Sequence, residues 1–345
     1  MLDLQISLEG NIALFLISGL VIGVAGMKAA GLADQLADRT GLGEALTGTL
    51  LLGLLTALPG LVASVVAAAK GLPALAISNA IGGIAIQTTA LAVADITYSR
   101  ANLEHAAASV ANMMQATILI LLMVLVLLGL SGPDVTVAHV HPVTPILVLA
   151  AGFGFWLILG TRAFPMWRPT HTDETVIDRP AHVNRFKSLP KLLAGLFVTA
   201  VLTGVSGALV VEAAENILQE VGLSEVIVGG LLVAVATSLP ELVTSVAAVR
   251  RGALTLAVSD IVGGNFFDVL FVAAADVAYL QGSIYHAPDV SYREIFLVGL
   301  TILLNVTLLA GLIYRQKTGP GNIGFESLLM LIFYVAGFLV LSLAM

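Results

Sequence analysis

Long apolar runs alternate along this chain with short polar breaks. A helix rises 1.5 Å per residue and needs roughly 20 apolar residues to cross a bilayer. Runs of that kind fall at about 11–31, 45–69, 73–98, 107–130, 142–161, 191–212, 224–249, 253–280, 294–314 and 323–345. The pattern predicts an all-α membrane protein with ten transmembrane helices. One long polar stretch, Arg162 to Lys191, divides the fifth run from the sixth. It contains Pro165, Pro169, Pro180 and Pro190 and reads as a surface linker. The expected organisation is a five-helix unit over 1–161, a linker over 162–190, and a second five-helix unit over 191–345. The acidic start, Met1 to Gly10, lacks a basic leading region, so the first run reads as a permanent span and not as a cleaved signal.

Composition agrees with the pattern. Hydrophobic residues make up 58% of the chain and charged residues 11%, against about 25% charged in a soluble domain. A mean hydropathy of +1.02 is too high for one water-soluble core. There is no cysteine, which excludes disulfide and thiolate chemistry. The net charge of −7 matters less than where the basic residues lie. With the linker placed in the cytoplasm, thirteen lysines and arginines fall inside and only Lys70 and Arg293 outside. The positive-inside rule then puts both termini outside, with the plasma (inner) membrane as the expected location. No HExxH or DDxxD pattern is present and the six histidines are scattered, so an enzyme is not expected. The expected partners are cations and the lipid bilayer, with no nucleic acid and no cofactor. The oligomeric state is not legible.

An internal repeat organises the chain. Residues 53–98 align without a gap to 234–279, at an offset of 181, with 18 of 46 positions identical. The first copy reads TALPGLVASVVAAAKGLPALAISNAIGG and the second TSLPELVTSVAAVRRGALTLAVSDIVGG. Gly23 and Gly26 match Gly204 and Gly207, and His105 matches His286. Thr56/Thr237, Pro59/Pro240, Gly82-Gly83/Gly263-Gly264 and Asp95/Asp276 stay in register, which shared hydrophobicity alone does not explain. Five helices per half is an odd number, so the two repeats are expected to be inverted, a common design in secondary transporters. Helices 2, 3, 7 and 8 are expected to be kinked, with Pro59 and Pro240 as the plainest causes. Thr237, Ser238 and Glu241 lie at the Pro240 break. Hydroxyl, carbonyl and carboxylate oxygens suit hard cations such as Na⁺ and Ca²⁺, and an acid inside an apolar span is costly and usually functional. Helix 8 carries Asp260, Gly264, Asp268 and Asp276 along one stripe. Asp95 and Asp276 lie nearer the membrane ends and read as capping or vestibule residues.

The segment ATSLPELVTS…AVSDIVGGNFFDVLFV resembles the α-repeat of the cation/calcium antiporter superfamily, which includes the sodium/calcium exchangers. The family pattern is close to GTSLPELxxS…GNxxGSNxxN/D. The second copy matches it well and the first only in part. The resemblance implies a secondary-active antiporter working by alternating access, with Na⁺, Ca²⁺ or H⁺ as the transported ions. It implies ligands at Glu241 and Asp268, backed by Thr237 and Ser238. Asp260 stands where the family has asparagine, and Gly264 where it has serine. In the first copy the family glutamate is replaced by Gly60, the hydroxyl before it by Ala57, and the Ser-Asn pair by Gly83-Ile84. That half offers Thr56, Asn79 and Gln87 and no mid-membrane acid, so the site is expected to be carried mainly by the second repeat. Two other functions stay open: a monovalent cation/proton antiporter, and a degenerate member that does not transport.

Overall fold

The computed structural model describes residues 7–40, 53–98, 101–107, 109–163, 188–250, 254–319 and 323–343, with isolated positions of the linker. Among these residues the fold is all-helical, apart from a single bridge between Val137 and Val140. In chain order the first half holds α1 (Leu8–Thr40), α2 (Gly53–Ala69), α3 (Pro73–Thr97), the short α4 (Leu103–Ala106), α5 (Val110–Ser131) and α6 (Val143–Ala163). The second half holds α7 (Leu189–Val221), α8 (Glu225–Thr237), α9 (Leu239–Arg250), α10 (Leu254–Ala278), a 3₁₀ turn at Ile284–His286, α11 (Tyr292–Tyr314) and α12 (Phe325–Leu343). Among the described residues, α1, α3, α5, α6, α7, α10, α11 and α12 are long and apolar enough to cross a membrane. The pair α8 and α9 makes a ninth candidate as one bent span. The second expected span appears from Gly53 onward as the 17-residue α2; its start lies outside the described residues.

Helix ends follow local chemistry. α3 and α7 have Pro73 and Pro190 in their first turns, where a missing N–H costs nothing. α7 stops at Gly222, whose φ of 72° suits a residue without Cβ. α11 opens on a capping box between Ser291 and Glu294.

Of the four helices expected to be kinked, the seventh span is the one that breaks. α8 contains a π-helical segment over Val228–Val233, then stops at Ser238, where α9 departs at 52°. Pro240 cannot donate to the carbonyl of Ala236, which weakens the helix at this point. Pro59, by contrast, sits inside the uninterrupted α2, where Ala57 stands at the position of Ser238. α3 and α10 also run without interruption. Gly82 on α3 serves close approach: a Cβ there would lie 2.2 Å from the Gly230 carbonyl oxygen on α8.

The packing repeats across the two halves. α1 and α7 are each 33 residues long and lie antiparallel, with Asn216 donating to Asn11 at one end and Gly195 against Leu32 at the other. Gly26 on α1 packs on the Pro240 ring, and Gly207 on α7 packs on the Pro59 carbonyl. α2 packs on α10, and α3 on α8 and α9, which places these helices at the centre. Leu75, Ile77, Ile81 and Ile84 of α3 and Leu119, Leu122 and Met123 of α5 are fully buried. The outer faces of α1, α6, α7 and α12 expose Leu16, Leu20, Leu149, Trp156, Phe197 and Leu339. A band of this kind is stable in lipid and not in water, and the protein is an integral membrane protein.

Two aspartates tie off the membrane ends. Asp95 accepts from the Leu103 amide at 2.6 Å and the Gly324 amide at 3.0 Å. Its repeat mate Asp276 accepts from the Ile284 amide at 2.9 Å, the His141 amide at 2.9 Å and the Thr144 hydroxyl at 2.6 Å. Both therefore act as caps on the turn that follows their helix.

Candidate cation-binding site

The bend at Ser238 brings four helices around a small polar cavity of about 10 Å³, close to the minimum for one water-sized occupant. α8 and α9 contribute Thr237, Ser238 and Glu241, and α10 contributes Asp268 and Phe271. α3 contributes Asn79, Gly83 and Gln87, and α2 contributes Ala57 and Gly60. Among the described residues, no lysine, arginine or histidine lines it. Glu241 and Asp268 are only 2% and 3% exposed, so two acids face a cavity with no basic side chain to balance them.

Gln87 and Asp268 are repeat mates, 181 residues apart, and they touch. The Gln87 amide donates to Asp268 Oδ2 at 2.8 Å and to Ser238 Oγ at 3.0 Å. A carboxylate only accepts, so the NH₂ of Gln87 faces Asp268 and its Oε1 is turned elsewhere. That Oε1 is buried without a hydrogen-bond donor, and so is Glu241 Oε2. Both side chains pass beside Gly264: a Cβ there would be 3.5 Å from Gln87 Oε1 and 3.8 Å from Glu241 Cγ. An orphaned buried acceptor costs about 1–3 kcal/mol. Two of them, on side chains that line one cavity with a second carboxylate, form a pocket that a cation would stabilise.

The first-repeat side is arranged differently. Asn79 donates to the Gly60 carbonyl at 3.0 Å and to Ser64 Oγ at 2.9 Å, while its Oδ1 accepts from Thr237 Oγ1 at 3.2 Å. Thr56 is buried with its side chain beside the Glu241 carboxyl group, and its hydroxyl also donates to the Gly53 carbonyl at 3.3 Å. Asp260 stands apart from the lining. Its Oδ2 accepts from Thr244 Oγ1 at 2.9 Å, and it acts on Glu241 as a neighbouring acid. The structure thus gathers Glu241, Asp268, Ser238, Thr237 and Gln87 around one cavity, with Thr56 behind Glu241 and Asp260 one layer out. Sequence reasoning missed Phe271. The signal for it was a paired exchange across the repeat: Gly60 mates with Glu241, and Phe271 mates with Ala90.

Comparisons with known proteins place this geometry. The model of the sodium/calcium exchanger protein family matches residues 10–169 and 191–343. The chain is 27% identical over 167 residues to inner membrane protein YrbG of Escherichia coli (strain K12), covering 48% of this chain and 50% of that protein. It is 30% identical over 120 residues to sodium/calcium exchanger MaX1 of Methanosarcina acetivorans, covering 35% of this chain and 32% of that protein. These matches thus span half or less of the length of the curated relatives. Two solved structures share the fold. The sodium-calcium exchanger NCX_Mj gives a TM-score of 0.63 at 17% identity, over 96% of this chain and 99% of that one. The H⁺/Ca²⁺ exchanger CAX gives a TM-score of 0.70 at 14% identity, over 95% of this chain and 82% of that one. The family match runs through both halves on either side of the linker, and the chain belongs to the sodium/calcium exchanger protein family, a family of transporters and not of enzymes.

Proposed function

We propose that this protein is a secondary-active cation antiporter of the sodium/calcium exchanger type, working by alternating access around the cavity at Glu241. In this reading two inverted five-helix repeats, 1–161 and 191–345, are joined by a cytoplasmic linker over 162–190. The observation that carries the reading is the set of unsatisfied acceptors, Glu241 Oε2 and Gln87 Oε1, in a cavity with Asp268 and no basic side chain. Glu241 and Asp268 supply charge; Ser238, Thr237, Thr56 and Gln87 supply neutral oxygens or orient the acids; Asp260 adds a more distant negative charge. Oxygen donors of this kind fit Ca²⁺ and Na⁺.

Exchange follows from electrostatics. Two acids close together in an apolar span are stable only with compensating positive charge. When one cation leaves, another cation or a proton must replace it before the site can cross the membrane barrier. That requirement favours antiport over uniport. The relatives named above suggest Ca²⁺ against Na⁺ or H⁺, and no cofactor is needed. The equal lengths of α1 and α7, and of α3 and α10, support the repeat reading, as does the Gln87–Asp268 contact between mates.

The test is flux in proteoliposomes, with Na⁺, K⁺ and H⁺ gradients imposed one at a time against Ca²⁺. The expected result is Ca²⁺ movement driven by an opposing Na⁺ or H⁺ gradient, lost in Glu241→Gln and in Asp268→Asn while both variants stay folded and inserted. Wild-type flux in Glu241→Gln would place the site elsewhere, and no flux under any gradient would support a non-transporting member.

A further inference from the structure

The missing acid of the first repeat has been replaced by an aromatic ring. A Cβ built on Gly60 would lie 2.7 Å from Phe271 Cε2 and 3.5 Å from Cζ, closer than a side chain tolerates. Phe271 is 5% exposed and lines the same cavity as Glu241. The substitution is reciprocal across the repeat. One side of the cavity, between α9 and α3, has Glu241 and the mated alanine, Ala90. The other side, between α2 and α10, has Gly60 and Phe271.

Hydrogen bonding closes the same side. The Gly60 carbonyl, which a cation would otherwise find, is taken by Asn79 at 3.0 Å. Both ends of the Asn79 amide are engaged, with Ser64 at 2.9 Å and Thr237 at 3.2 Å. On the other side, Glu241 Oε2 and Gln87 Oε1 carry no hydrogen bond. The two sides of the cavity thus differ in available ligands: one offers oxygens and the other offers a ring and a completed network.

Resting on the antiporter reading, we propose that Phe271 is a specificity-determining residue: its ring fills the mirrored ligand position and confines the cation to the Glu241 side. The coupling number is then set by Glu241 and Asp268 alone. Two carboxylates balance one divalent cation or two monovalent ones, and no charge remains for a third.

The experiment exchanges the two residues toward the pattern of the other half. Radiolabelled Na⁺ and Ca²⁺ binding at saturation is measured on the purified full chain. The variants are Gly60→Glu, Phe271→Ala and the double variant. The double variant should bind one more Na⁺ per chain than wild type. Gly60→Glu with Phe271 in place should gain none and melt at a lower temperature. A folded double variant with wild-type Na⁺ binding overturns the proposal. So does a Gly60→Glu chain that keeps wild-type yield and gains the ion beside the intact ring.

If the double variant does not fold, Phe271→Ala with the shorter Gly60→Asp is read in the same way. Melting of Gly60→Ala decides the packing premise without any new acid. It should be lowered in the Phe271 background and restored with Phe271→Ala, and equal loss in both backgrounds overturns the ring's role. A wild-type chain that binds neither Na⁺ nor Ca²⁺ would instead overturn the antiporter reading, and this one with it.

Discussion

At position 264 a glycine stands where the resembling family has a serine, and the structure shows room for one. A Cβ there meets Gln87 Oε1 at 3.5 Å and Glu241 Cγ at 3.8 Å, ordinary van der Waals contacts. Gly264→Ser should therefore fold as the wild type does and add one neutral oxygen beside Glu241. A hydrogen-bond-scale gain of about 1 kcal/mol is roughly a five-fold rise in Na⁺ affinity. A cation-dependent thermal shift measures it. Weaker Na⁺ binding would show that the new hydroxyl caps Gln87 Oε1, and hence that this oxygen is a ligand no longer available. That Glu241, Asp268, Thr237, Ser238 and Gln87 share one cavity was legible from the Pro240 position, the repeat register and the family resemblance, since acids in apolar spans are rare. Asp260 shares that rarity, yet Thr244 holds it outside the cavity lining, and only side-chain contacts tell the two cases apart. Phe271 was not legible alone, since a phenylalanine in a membrane helix is commonplace. Its role emerges only when its position is matched to Gly60 in space.

Among elements, the seat of α1 against the broken helix is an exacting contact. A Cβ on Gly26 would lie 2.3 Å from Pro240 Cγ, and a proline ring cannot rotate away. On the other side a Cβ on Gly207 would lie 2.5 Å from the Pro59 carbonyl oxygen, which is backbone and equally unable to yield. Gly26→Ala and Gly207→Ala should each destabilise the protein by about 1–3 kcal/mol, the usual cost of overpacking. Gly19→Ala is the control: its Cβ would sit 3.6 Å from the Ala236 Cβ and should leave the melting temperature unchanged. Melting in detergent compares the three, and a Gly26→Ala chain as stable as Gly19→Ala would mean that α1 does not press on Pro240. The repeat alignment anticipated this pair of contacts only as matched glycines and prolines. It put the matched residues in register but could not say that each glycine meets the other half's proline. The same limit explains the expected kinks. A proline or a glycine pair marks a place where a helix can bend, but whether it bends depends on neighbours. At Gly82 of α3 that neighbour is the Gly230 backbone of α8.

For the whole molecule the remaining question is which way the bundle faces. The structure sorts its polar groups to two ends. At one end Asp95 caps the turn before α4, and Arg315 donates to the Thr170 carbonyl and to the His105 carbonyl, so the described linker positions dock there. At the other end Lys70 bonds Glu212 and Glu215, each at 2.6 Å, and Asn216 meets Asn11 near the start of α1. α12 begins at the Asp95 end, where Gly324 is held, and runs back toward α8. The described ends, Ser7 and Leu343, therefore lie at the Lys70 end, opposite the described linker positions. Burial works against the charge on Lys70, but its two glutamate partners hold its pKa above the ordinary lysine value. The stabilisation from that pairing is thus present at neutral pH and lost only as pH rises through the raised value. A lysine so engaged is not a free positive charge, which weakens one of the two basic residues counted against the orientation. The expected arrangement is the linker end in the cytoplasm and both termini outside. The chain has no native cysteine, so single cysteines report without background. Ser7 is exposed at the start of α1, and Asp173 is exposed in the linker, whereas Thr172 is engaged by His105 at 3.0 Å and is the poorer probe. An impermeant thiol reagent applied to intact cells should label Ser7→Cys and spare Asp173→Cys until the membrane is opened. Labelling of Asp173→Cys with Ser7→Cys protected would invert the molecule. The basic residues at the linker end would then face outward, against the bias that orients membrane helices, and the direction assigned to inward and outward cation release would reverse with them.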